Sequence, residues 1–223
     1  MRVESFWMDQ TEVTRAAYAR FLEATGYRPP HVEEAWAEEG YNWQGSTPPA
    51  GTEDHPVLLT SWYDAQEYCL WAGKRLPTEA EWQLAALGPE ESASTFPWGE
   101  TYAGEHLNHG RTVEPNFDDS DGYELTSPVG AFPSGASRYG LQDMFGNVWE
   151  FTSDFRVDSW DFTEGTQEGQ GWTELRAPGP GLYVAVRGGS YFFDVEHHPA
   201  GERNHFLVEL RRKTSGFRCA KDG

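Results

Sequence analysis

The sequence predicts an α+β fold, and three observations lead there. Helix-capping signals crowd the first third of the chain. Beyond residue 88 the pattern turns to loops and short strands. The chain of 223 residues carries ten Trp, ten Tyr, thirteen Phe, 24 Gly and 14 Pro. That mixture suits an irregular domain in which aromatic side chains fill the gaps between non-repeating segments. Helices in one part of the chain and strands in another give α+β. The length fits one large domain with a real core, taken here as residues 1–223.

The elements follow in order. Thr14 is placed to cap a first helix, with Tyr18, Phe21, Leu22 and Thr25 on one face and Gly26 as its stop. Residues 28–56, rich in Pro, Gly and acid, read as a long loop. Ser61 and Asp64 have the spacing of a reciprocal capping box. Ala65, Tyr68, Cys69 and Ala72 form the buried stripe of that second helix, which Gly73 ends. Thr78 and Glu81 repeat the box for a third helix, with Trp82, Ala85 and Ala86 inward and Gly88 as terminator. Leu182 to Val186 is a strand, while residues 155–182 lack periodicity and read as a surface insertion. Trp62, Trp71, Trp82, Trp98 and Trp149 are read as core. No period of repetition is present, which excludes a solenoid or propeller.

The spaced segments Gly73-Lys74-Arg75-Leu76-Pro77-Thr78-Glu79-Ala80-Glu81-Trp82, Phe96-Pro97-Trp98-Gly99, Gly140 to Glu150, Arg187-Gly188-Gly189-Ser190 and Gly216-Phe217-Arg218-Cys219 together resemble the formylglycine-generating enzyme, or sulfatase-modifying-factor, family. The resemblance runs from Phe6 to Cys219 and implies a variant of the C-type lectin fold. That variant has little regular structure, with two to three helices packed on short antiparallel strands. Family domains usually begin with a Gly-rich strand before the Glu12-Val13-Thr14 signature, whereas only residues 1–11 precede it here. A first strand is therefore expected to be missing, or supplied by an upstream domain or partner chain. The resemblance also implies a disulfide between Cys69 and Cys219; two buried thiols in a reducing compartment are the alternative.

In the true enzyme of the family, two cysteines just after the Arg-Gly-Gly-Ser segment bind copper and oxidise a substrate cysteine. Here the stretch from Tyr191 to Phe206 contains no cysteine, and Phe193 stands where the first would be. A phenylalanine can neither ligate copper nor form a mixed disulfide, so formylglycine generation is expected to be lost. Family branches also act in pyoverdine maturation and in ergothioneine synthesis, and some dispense with the cysteine pair. The rhythm of Arg203-Asn204-His205-Phe206, Arg211-Arg212 and Gly216-Phe217-Arg218 is similar to the tail of the ergothioneine and ovothiol sulfoxide synthases, which use iron and oxygen. The bland reading is that Arg203 and Arg218 bridge buried carbonyls and carboxylates as bidentate donors.

Two calcium sites are implied by the same resemblance. One comprises Asp143, Gly146, Val148 and Glu150; the other Asn108, His109, Asp121 and Tyr123. Calcium takes six to eight oxygens, so carboxylates around glycine turns with inward carbonyls are suitable, although the same acids can simply cap turns. A redox metal, iron or copper, is the second candidate. The segment from Asp194 to His205 holds His197 and His198 as ligand types, with Glu196, Glu202 and His205 as candidate catalytic acids or bases. Adjacent His197 and His198 point to opposite sides in a strand, which counts against a shared ion; a polar exposed loop is the alternative. Asn147, Trp149, Ser190, Tyr191, Phe193 and Arg203 are the expected substrate-binding residues.

The net charge of −19 repels nucleic acid and anionic membranes. No apolar run reaches the length needed to span a bilayer, and the opening Met1-Arg2-Val3-Glu4-Ser5-Phe6 has no apolar region of a signal peptide, which favours the cytoplasm. No nucleophile elbow, phosphate-cradling loop or His-Glu-x-x-His helix is found. The expected function is a metal- and oxygen-dependent oxidoreductase acting on a small molecule or peptide. The competing expectation is a non-catalytic, calcium-stabilised module that binds a protein or peptide.

Overall fold

A computed structural model describes residues 3–38, 40–90, 93–110, 119–156, 181–192 and 201–223. Three helices form where the capping signals stand: α1 (Arg15–Thr25), α2 (Trp62–Trp71) and α3 (Glu79–Leu87). The Thr14 side chain accepts from the Ala17 backbone N–H, and Gly26 closes α1 in the left-handed conformation at φ 68°. Both capping boxes close: Ser61 with Asp64 on α2, and Thr78 with Glu81 on α3. Thr25 is exposed rather than on the apolar face of α1; its hydroxyl donates back to the Phe21 carbonyl at 2.7 Å. Among the tryptophans expected in the core, Trp71 departs. As the last residue of α2 it is 44% exposed, with its ring tilted against those of Phe21 and Tyr68 at 5.5 and 5.7 Å.

Among the described residues, six strands make two sheets. β1 (Phe6–Met8) pairs antiparallel with β6 (Ala220–Asp222), so the residues ahead of the Glu12 signature supply a strand that clasps the carboxyl end. The larger sheet has the order β4-β3-β2-β5, from β2 (Trp149–Arg156), β3 (Tyr183–Arg187), β4 (Arg203–Leu207) and β5 (Ser215–Gly216). The β2–β5 pair is parallel, against the expectation of antiparallel strands throughout. The strand expected at 182–186 is displaced by one residue to Tyr183–Arg187. Residues 157–180, the bulk of the expected insertion, lie outside the described residues, and β2 extends through its start to Arg156.

The β2–β3 register shifts between Phe151 and Phe155. Within this irregular stretch β2 bonds to α2, α3 and the segment between them. Thr152 O accepts from Trp62 Nε1 at 2.8 Å, Ser153 N donates to Pro77 O at 2.8 Å, and the Asp154 carboxylate receives the Glu79 N–H at 2.6 Å. The main core gathers Tyr18, Phe21, Tyr68, Trp149, Phe151 and Phe217 between α1, α2 and the sheet. Through it runs a disulfide between Cys69 and Cys219, which selects the crosslinked alternative. Closing a loop of 150 residues contributes on the order of 4–5 kcal/mol in the chain-entropy picture. Among the described residues no helix is long and apolar enough to cross a membrane.

Glu81 joins the α3 cap to the carboxyl-terminal strand through Arg75, which grips both of its oxygens at 2.6 and 2.7 Å and also reaches Asp222. Burial works against ionisation of Glu81, but hydrogen bonds from Arg75 and the Thr78 backbone outweigh it and hold the carboxyl below its ordinary value of 4.5. A depressed folded-state pKa gives stability that is present above the unfolded value and lost as pH falls through the folded one. Glu81→Gln is therefore expected to cost about 1 kcal/mol at pH 7. In urea unfolding, the gap between wild type and variant should shrink as pH is taken below 4.5; a gap that stays constant with pH would refute the ion pair as its source.

Candidate functional site

The segment from Gly140 to Glu150 sits at the centre of the molecule because it is tied from all sides. Asp143 and Asn147 adopt left-handed backbone conformations at φ 57° and 53°. Gly146 has φ 88°, and a Cβ there would stand 2.2 Å from the Asn108 carbonyl oxygen, so only glycine fits. The next N–H, of Asn147, donates to that same Asn108 oxygen at 3.0 Å. The two segments from which the calcium sites were expected are therefore packed against each other.

Behind this turn lies a sealed cluster of carboxylates around one guanidinium. Arg218 donates to Glu150 through Nε at 2.7 Å and Nη2 at 2.8 Å, and neither side chain is exposed. Trp82 Nε1 adds a third donor to Glu150 at 2.9 Å. The remaining Arg218 N–H groups reach the carbonyls of Asp9, Gln10 and Gln142. Glu12 and Asp143 complete the cluster. Burial raises the Glu12 carboxyl well above its usual range, the negative charge of Asp143 adds to this, and Arg218 opposes it. Asp143 is raised too, by burial first, while the Gly130 N–H at 2.6 Å and Arg218 pull it down. Three acids face a single permanent cation, and such an excess of buried negative charge calls for protons or another cation.

The chemistry of these donors suits calcium. Glu150 keeps one free lone-pair direction after its three donors, and Asp143 keeps the oxygen not used by Gly130. In the other set, the Asp121 carboxylate takes the N–H groups of His109 at 2.8 Å and Tyr123 at 2.9 Å, which fixes that turn. Asn108 gives its amide N–H to Leu125 O at 3.0 Å, while its Oδ1 is buried with no hydrogen-bond partner. An orphaned buried carbonyl oxygen is what an oxygen-seeking cation would use. Among the described residues, no three His, Cys, Asp or Glu side chains converge as a metal cluster, so any ion here needs backbone or amide oxygens besides its one or two carboxylates.

The expected substrate-binding residues are mostly inside. Asn147 is 1% exposed, with its side chain bonded to Ser127 N and Glu12 and its carbonyl receiving Tyr191 N at 2.8 Å. Trp149, Ser190 and Tyr191 are likewise buried. Burial raises the Tyr191 phenol above its usual range, and neighbouring Tyr41 adds to this. Arg203 is half exposed and clasps both oxygens of Glu79, which also pairs with Arg187 at 2.6 Å. The bridging role read for Arg203 and Arg218 is the geometry observed. Glu202 immediately precedes β4, and His205 is its central residue, opposite Ala185. Phe193, Glu196, His197 and His198 lie outside the described residues. The open aromatic at the end of the Gly-Gly-Ser segment is Phe192, 48% exposed, which sequence reasoning passed over. Glu12 was also missed as a cluster member, although its place beside the α1 cap was visible.

Fold and motifs together define a sulfatase-modifying-factor domain on a C-type lectin scaffold. The chain belongs to the family described as "Sulfatase-modifying factor enzyme 1-like domain", which matches residues 1–223. It is 31% identical over 258 residues to the mouse formylglycine-generating enzyme, covering 99% of this chain and 67% of the relative. Over a shorter stretch of 101 residues it is 45% identical to the bovine inactive C-alpha-formylglycine-generating enzyme 2, covering 45% of this chain and 33% of the relative. Among solved structures, PvdO from Pseudomonas aeruginosa superposes with a TM-score of 0.72 at 27% identity, covering 98% of this chain and 80% of the other.

Arg218→Met tests the sealed cluster. Removing the one permanent cation leaves Glu150 beside Glu12 and Asp143, and the expected loss is about 3–5 kcal/mol of unfolding free energy. Glu150→Gln added to that variant should recover part of it. A nearly unchanged denaturation midpoint in the single variant would show that the pair is dispensable.

Proposed function

We propose that this chain is an oxidoreductase of its family that uses a metal and oxygen on a small molecule or peptide, and that it does not generate formylglycine. The observation that carries the second half is the disulfide. The chain has two cysteines, and both are spent on the Cys69–Cys219 bridge in the core. No thiolate is left to hold copper or to form a mixed disulfide with a substrate cysteine. Support for the first half is family membership and the layout of the Gly-Gly-Ser segment. That segment leaves β3 beside Asn147, buries Tyr191 and brings Phe192 to the surface, in the region where the family's chemistry is expected.

Iron or copper would need His197 and His198, with Glu196, Glu202 or His205 moving protons. The described residues supply no cluster for such an ion. Calcium is a separate proposal and a structural one. Asp143, Gly146, Val148 and Glu150 would hold one ion by two carboxylates and two backbone oxygens, and Asn108, His109, Asp121 and Tyr123 a second. The first ion would neutralise the buried Asp143 and Glu150, and the second would fill the orphaned Asn108 oxygen. A non-catalytic binding module is the second reading. It is favoured by the similarity to an inactive relative and by the burial of Ser190 and Tyr191.

Elemental analysis of the purified protein after dialysis against a weak chelator separates the two readings. The oxidoreductase reading expects stoichiometric iron or copper, lost in His205→Ala or His197→Ala, together with oxygen uptake on a thiol or phenol. Calcium alone, with no redox metal taken up on reconstitution, would sink it and leave the binding module. For calcium itself, chelation should lower the melting temperature, and Asp143→Asn and Asp121→Asn should each lose one bound ion. An unchanged melting temperature with no bound calcium would overturn that proposal.

A further inference from the structure

One cluster of side chains lies outside the carboxylate site and is not absorbed by the family's motifs. Lys213 is one of the chain's three lysines. Its Nζ lies 5.6 Å from the ring centroid of Trp36, 5.9 Å from that of Tyr41 and 5.6 Å from that of Phe192. Each ring is within the range over which an aromatic face attracts a cation. The rings come from separate parts of the chain. Trp36 stands in a short 3-10 turn at Ala35–Ala37, Tyr41 follows it and packs on its edge at 5.5 Å, and Phe192 comes from the Gly-Gly-Ser segment. Lys213 arrives on a backbone pinned on both sides. The Arg212 carbonyl accepts from Leu59 N at 3.1 Å, and the Thr214 carbonyl accepts from Trp149 N at 2.9 Å.

Three features distinguish this from a lysine lying along an apolar surface. Among the described residues Lys213 forms no ion pair with a carboxylate, in a chain with 36 Asp and Glu. Its ammonium is instead held by rings. Two of those rings, Trp36 and Phe192, are 42% and 48% exposed, so the enclosure opens to solvent. Phe192 directly follows Tyr191, whose backbone is tied to Asn147, so the enclosure adjoins the Gly-Gly-Ser segment near which substrate is proposed to bind.

We propose that Trp36, Tyr41 and Phe192 form an aromatic cage for the ammonium group of a ligand, and that Lys213 is its internal occupant, displaced when the ligand enters. The ligand class is an alkylammonium compound: a small amine or quaternary ammonium, or the amino group of a lysine or methyl-lysine in a peptide. A quaternary ammonium is less strongly hydrated than the lysine amine, so it gives up less water on entering the rings. The net charge of −19 draws cations to the surface in general, and the cage supplies the specificity. This deepens the reading of the function by naming the substrate's charged group, and it rests on that reading only in assigning the ligand as a substrate.

The test uses the full chain and tetramethylammonium chloride, followed by ligand-observed NMR of its methyl resonance at constant ionic strength set with sodium chloride. Lys213→Ala empties the cage and is expected to bind the probe about 10-fold more tightly than wild type. Lys213→Ala with Trp36→Ala, or with Phe192→Leu, is expected to lose that gain while keeping the wild-type circular dichroism spectrum. A Lys213→Ala protein that binds no better than wild type would overturn the cage. So would double variants of both kinds that bind as well as Lys213→Ala. A trimethyl-lysine peptide that binds at least 10-fold more tightly than tetramethylammonium assigns a peptide source, and equal binding assigns a small molecule. Binding without any oxygen uptake would leave the cage standing while the oxidoreductase reading fails.

Discussion

The buried ion pair of Arg218 with Glu150 is the interaction around which the rest of the molecule is arranged. Neither side chain has any exposure, and placing two such charges out of water costs several kcal/mol each. The cost is offset only because the guanidinium donors are all used. They reach the Glu150 carboxylate and the carbonyls of Asp9, Gln10 and Gln142. Residues far apart in sequence, near both chain ends and in the Gly140–Glu150 turn, thus meet at one side chain. Next to Arg218, Cys219 bonds to Cys69 of α2, and Ala220 begins the strand that pairs with β1. Charge, disulfide and strand pairing therefore lock the same short segment.

This explains how a domain with so little regular structure holds a fixed shape. Where sheet ladders are missing, side chains satisfy backbone groups instead. Asn147 bonds Ser127 N, Arg15 Nε bonds Pro56 O, and Trp62 Nε1 bonds Thr152 O. Each of these joins distant segments inside the core, where an unpaired group would cost about 1–3 kcal/mol. The aromatic rings of Tyr18, Phe21, Tyr68 and Phe217 fill the space between, with mostly edge-on contacts. The high aromatic content of the sequence is the composition such a construction requires.

What could be read in the sequence was local, and what could not was long-range. The caps at Thr14, Ser61 and Thr78 depend on residues three positions away, so spacing revealed them. The parallel β2–β5 pair, the bulge after Phe151 and the exposure of Trp71 depend on how distant segments pack, which periodicity does not encode. The same division runs through the site. Asp143, Gly146 and Glu150 were legible because they share one short motif. Glu12 was not, because its partners Asp143 and Arg218 lie far along the chain and its role is set by burial. Lys213 beside Trp36 and Phe192 was invisible for the same reason.

The scaffold separates two tasks that the family resemblance merges. Oxidation needs a reactive group at the end of the Gly-Gly-Ser segment, whereas recognition needs only a shaped surface there. In this chain the cysteines that would perform the first are replaced, and the only two present hold the core. The aromatic surface suited to the second is in place, with Phe192 exposed and a cation against its ring. Recognition of a cationic ligand is thus compatible with a redox metal in the neighbouring loop and equally with none. It follows that loss of the thiol chemistry does not imply loss of the binding site.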